Sequence, residues 1–119
     1  MLELSPLAKT WILDVDGTLV KHNGYLQGED VLLDGVKEFF AQIPREDKII
    51  LLTARKPGTG LEKFLCQNNI RYDEIIYDMP HGERILINDR KPSGLQTAYV
   101  INKERDAGLD VRFYINENL

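Results

Sequence analysis

Two carboxylates, Asp14 and Asp16, stand one residue apart where an apolar run ends: Trp11-Ile12-Leu13 lead into them and Gly17-Thr18-Leu19-Val20 follow. An unpaired carboxylate at the margin of a core is costly, so acids placed there are expected to do chemistry or hold a metal. Calcium loops carry similar strings. They also need further oxygen ligands at alternate positions, where this chain has Leu19, Val20 and Lys21. Two more apolar runs exit onto polar residues in the same way. Lys48-Ile49-Ile50-Leu51-Leu52 leads to Thr53-Ala54-Arg55, and Arg84-Ile85-Leu86-Ile87 leads to Asn88-Asp89-Arg90-Lys91-Pro92.

The elements that must position these residues follow from the hydrophobic pattern. Continuous apolar runs, as opposed to alternating ones, suit a parallel sheet covered on both faces. Strands are expected near 10–15, 48–53, 74–77, 84–88 and 110–115. Helices are expected between them. Asp34 can cap one that carries Val36, Phe39, Phe40 and Ile43 at helical spacing. Thr59 with Glu62, and Ser93 with Gln96, fit the capping-box pattern for two more. Leu61, Phe64 and Leu65 line one of these helices, Leu95, Ala98 and Tyr99 the other, and Gly108 offers a stop. Alternating strand and helix predicts an α/β chain of Rossmann-like type, with ligands bound beyond the carboxyl ends of the strands. Asp14, Thr53 and Asp89 all fall at such ends.

Those three exits, in that order, resemble the haloacid dehalogenase (HAD) superfamily, and the resemblance spans most of the chain. It implies a three-layer α/β/α sandwich with a mainly parallel sheet and the first strand in its middle. It also implies a single domain over 1–119, with a flap at about 20–31 and no cap domain. In such phosphatases the residue matching Asp14 is the nucleophile, forming an aspartyl-phosphate, and the residue matching Asp16 is the general acid/base. Thr53 and the Ala54 backbone would hold phosphoryl oxygens, and Asp14, Asp16 (through its carbonyl) and Asp89 would bind Mg2+. The family's cationic residue departs from the pattern, because Met79 stands where a lysine is expected. Lys91, just after Asp89, is the first candidate to replace it, and Arg55 the second. Arg84 is expected to lie out of reach, since five strand residues of about 3.3 Å each separate it from the carboxyl edge. The stretch from Tyr72 to Gly108 further resembles small phosphatases of bacterial capsular or surface polysaccharide pathways, which implies a phosphorylated sugar or other precursor as substrate.

Composition narrows the alternatives. A formal net charge of −4 over 119 residues argues against a nucleic-acid surface. No apolar run approaches the roughly 20 residues of a membrane span. The N-terminus shows no signal-peptide pattern. With a single cysteine, Cys66, expected as a packed core thiol, a cytoplasmic setting is natural. The open site suits a bulky small-molecule substrate or a homo-oligomer that completes it. Two other classes compete with the phosphatase: a catalytically weak HAD-like binding module, suggested by Met79, and a receiver-type signalling domain. The latter usually carries its phosphoacceptor on the third strand, where no lone acid stands in register here.

Overall fold

The computed structural model describes residues 1–119. Its centre is a parallel three-stranded sheet in the order β2(Thr10–Asp14), β3(Lys48–Leu52), β4(Glu74–Ile76). The strand β1(Leu2–Leu4), which periodicity does not flag, pairs in parallel with β5(Phe113–Ile115) as a separate two-stranded sheet. Two short helices, α1(Val36–Ala41) and α2(Leu61–Gln67), follow β2 and β3 respectively. The architecture is mixed α/β with parallel sheets and few helices. No helix is long and apolar enough to cross a membrane.

β3 is central because both of its faces are apolar. Ile49 and Leu51 are fully buried, and they pack with Leu13 and Val15 from around β2, Val36, Phe39 and Ile43 from the α1 region, and Leu61 and Leu65 of α2. Each such side chain contributes about 1.5–3 kcal/mol on burial, so this cluster fixes the register. Asp14 lies opposite Leu52, and the Val15 N–H donates to the Leu52 carbonyl at 3.2 Å. The ends of β2 and β3 are therefore level.

The helix starts differ from the expected caps. Gly35, at φ +81°, occupies the N-cap of α1, and the Asp34 carbonyl is engaged by the Leu109 N–H at 2.8 Å. Added at Gly35, a Cβ would meet the Leu109 carbonyl oxygen at 2.5 Å, so the close approach as well as the backbone demands glycine. Gly60 caps α2, while Thr59 Oγ1 is buried without a partner and Glu62 accepts from the Tyr77 hydroxyl at 3.0 Å. Cys66 lies on the exposed side of α2 and is not a core thiol.

The largest departure is downstream. Residues 77–112 contain no strand or helix, so the expected strand at 84–88 and the helix opening at Ser93 are absent. Ile85, Ile87 and Val100 are 84%, 88% and 77% exposed. An apolar run becomes a strand only when a partner edge and covering layers receive it, and here β2 keeps β3 as its only strand partner. The expected order, with β2 in the middle, is thus replaced by one with β2 at the edge. Several contacts tie the segment down, among them the Asp78 and Met79 N–H groups on the Arg55 and Thr53 carbonyls and the His22 N–H on Asp106 Oδ1. Arg84 also reaches Asp14, the Asp106 N–H donates to the Gly17 carbonyl at 2.8 Å, and Leu109 is held by Asp34. The radius of gyration, 15.1 Å, exceeds the roughly 13.5 Å of a compact chain this long.

Candidate active site

Level strand ends bring Asp14, Asp16 and Thr53 together. After β2 the chain turns sharply: Gly17 adopts φ +87° and donates to the Val20 carbonyl at 2.7 Å, while Leu19 and Val20 both bond back to the Val15 carbonyl. Fully buried Val15, Leu19 and Val20 anchor this turn, so the two carboxylates that flank Val15 are held at its rim. Thr53 follows β3 directly, with its N–H on the Ile76 carbonyl at 3.0 Å and its side chain buried. Its hydroxyl donates to Asp16 Oδ2 at 3.3 Å and accepts the Arg55 backbone N–H at 3.1 Å.

Asp14 is the more open acid. Its Oδ2 accepts from the Thr18 hydroxyl at 3.1 Å, and its Oδ1 from Arg84 Nη1 at 3.1 Å. This corrects the expectation for Arg84. The distance argument assumed a strand from 84 to 88, and with irregular backbone there the guanidinium reaches Asp14 directly.

Asp16 faces inward onto Arg55. Arg55 Nε lies 3.2 and 3.1 Å from the two Asp16 oxygens, and Nη2 lies 2.7 Å from Oδ1. The same guanidinium forks onto Asp30, Nη1 to Oδ2 at 3.0 Å and Nη2 to Oδ1 at 2.6 Å, with the Tyr25 ring 3.9 Å from its Cζ. Burial pulls the Arg55 pKa down, but the bonds to Asp30 and Asp16 outweigh it and hold the guanidinium above its usual value. Arg55 is a fixed cation.

The remaining predicted residues are not gathered here. Asp89 lines a separate hollow with Leu86, Asn88, Arg90 and Thr97, whose hydroxyl donates to the Asp89 carbonyl at 3.1 Å. Lys91 is exposed and bonds to neither Asp14 nor Asp16. Ala54 is exposed on the loop after Thr53, and the Met79 N–H donates to the Thr53 carbonyl at 3.0 Å. No group of three or more His, Cys, Asp or Glu side chains is arranged to hold a metal. Asp14 and the Asp16 carbonyl are hard oxygen donors of the kind Mg2+ takes, whereas Asp89 stands apart from them.

Sequence reasoning missed Asp30 and the Arg84 contact. Nothing local marks either one: Asp30 and Arg55 are 25 residues apart and Arg84 and Asp14 are 70 apart, so only the fold joins them. Comparisons of the chain with family models, with curated proteins and with solved structures find no match.

Proposed function

We propose that the chain is a Mg2+-dependent phosphomonoester hydrolase of HAD type, built on a three-layer, capless Rossmann-like sandwich and acting through an aspartyl-phosphate. One observation carries this: two carboxylates and a threonine hydroxyl meet at the level carboxyl ends of adjacent parallel strands, with a guanidinium on each acid. Phosphoryl transfer needs a nucleophile, an acid for the leaving oxygen and cations that offset the phosphoryl charge. Asp14, the more exposed carboxylate, takes the nucleophile's part. Asp16 protonates the leaving alcohol and then activates the hydrolytic water. Arg84, already on Asp14, is better placed than Lys91 to meet an incoming phosphate, and Thr53 orients it. Mg2+ would supply charge neutralisation at the phosphoryl oxygens. Asp14 and the Asp16 carbonyl are its donors at the site, and the part of Asp89 rests on the resemblance alone.

The substrate class that the resemblance suggests is a phosphorylated sugar or another small phosphorylated precursor of bacterial surface polysaccharide. The setting would be cytoplasmic, and a second copy could complete the open site. A binding module without turnover is the competing reading. It is favoured by one observation, that both acids already accept from guanidinium groups.

Incubation with an aryl phosphate and Mg2+ separates the two. The enzyme turns over, and Asp14→Asn abolishes turnover, at least about a thousandfold, with melting unchanged. Asp89→Ala should raise the Mg2+ requirement sharply. Activity that persists in chelator would remove the metal from the scheme, and wild-type rates in folded Asp14→Asn would remove the nucleophile.

A further inference from the structure

The loop at 20–31 packs on Arg55 at the edge of the site and, beyond the buried Val20, has little apolar packing to hold it. Leu26 and Val31 are 67% and 54% exposed, and the 3-10 turn at Gly24–Gln27 buries only Gly24. Its base is closed by backbone bonds, Lys21 N–H to the Val31 carbonyl and Leu33 N–H to the Leu19 carbonyl, both 2.9 Å. Between that base and the turn the loop is held by charge and by the His22 N–H bond to Asp106 Oδ1 at 2.8 Å. Asp30 presents both carboxylate oxygens to the Arg55 fork while Tyr25 covers the guanidinium face. The Arg55 and Asp30 side chains are only 1% and 4% exposed. Such a cluster persists only where each donor and lone pair is well matched, because both charges have left water. The same guanidinium holds Asp16, so the position of the loop and the orientation of Asp16 are joined through one side chain.

We propose that Asp30, Tyr25 and Arg55 form a latch that holds the 20–31 loop closed at the edge of the site, and that Asp30 is a positioning residue fixing the Arg55 fork on Asp16. The effect on turnover rests on the phosphatase reading; the latch itself rests only on the ion cluster. Opening the loop withdraws Asp30 and Tyr25, leaving Arg55 free to swing with Asp16 as its sole ionic partner.

Amide hydrogen exchange over residues 22–30 tests the latch. Asp30→Asn keeps the shape and loses the charge, and it should speed exchange there at least about tenfold while β3 amides keep their protection. Tyr25→Leu should move the same amides less, since it removes the ring alone. With aryl phosphate, Asp30→Asn should lower kcat about tenfold at near-constant KM, and Asp30→Glu should recover part of the loss. Unchanged exchange in folded Asp30→Asn overturns the latch, and if that variant does not fold, unchanged exchange in Tyr25→Leu does so. Faster exchange with normal kcat in an active enzyme overturns the positioning role. If the wild-type chain hydrolyses nothing, the phosphatase reading fails, while the exchange result still upholds or overturns the latch.

Discussion

Residues 10–76 and residues 77–112 have similar apolar vocabularies and opposite fates. Of 22 buried residues, only Gly108 and Leu109 lie beyond Ile70. Ile49-Ile50-Leu51-Leu52 is the central strand of a packed sheet, whereas Ile85-Leu86-Ile87 is equally apolar and lies in solvent. The difference is company. The first run has a strand on each side and buried residues of two helices against it; the second meets no open edge. Hydrophobicity nominates a strand, and partners make it one. The site follows the same division. The acids and the threonine of the packed region are assembled, while of the irregular region's candidates Arg84 reaches them and Asp89 and Lys91 are dispersed.

Stability measurements should show the contrast most strongly. Leu51→Ala is expected to cost about 2–5 kcal/mol by opening a cavity in the core, while Ile87→Ala should stay within about 0.5 kcal/mol. Denaturant melts of both variants check this, and a large loss at Ile87 would mean that the second region is packed after all.

Kinetics sharpen the comparison at the two candidate cations. Arg84 touches Asp14 and Lys91 does not, so Arg84→Ala should lower turnover about a hundredfold, the scale of losing a charge-stabilising donor. Lys91→Ala should change it only a few-fold. The reverse ranking would return the cationic role to the loop after Asp89.

A smaller effect lies in Tyr77, at the junction of the two regions. Burial first, and then the bond to Glu62, pushes its pKa up to about 12. The folded state thus keeps this proton where the unfolded chain, near 10, has lost it. The resulting stabilisation is complete below pH 10 and disappears as pH rises from 10 to about 12. Phenolate absorbance should lose its latest-titrating component in Tyr77→Phe, and the same variant should flatten that part of the stability profile.

The sequence by itself determined the local features. Asp14 and Asp16 at a strand exit, Thr53 at the next, β2 to β4 within a residue or two, and the apolar faces of α1 and α2 all follow from runs and periodicities a few residues long. Some local signals were overruled at close range: Gly35 and Gly60, at φ +81° and +82°, took the cap positions that Asp34 and Thr59 offered. Tertiary structure alone decided the rest. It placed Arg84 on Asp14, Asp30 and Tyr25 on Arg55, and β2 at the sheet edge. A side chain's type and its neighbours along the chain set what it can bond. Which distant partner arrives depends on how core burial settles the strands and on which runs find an edge to join.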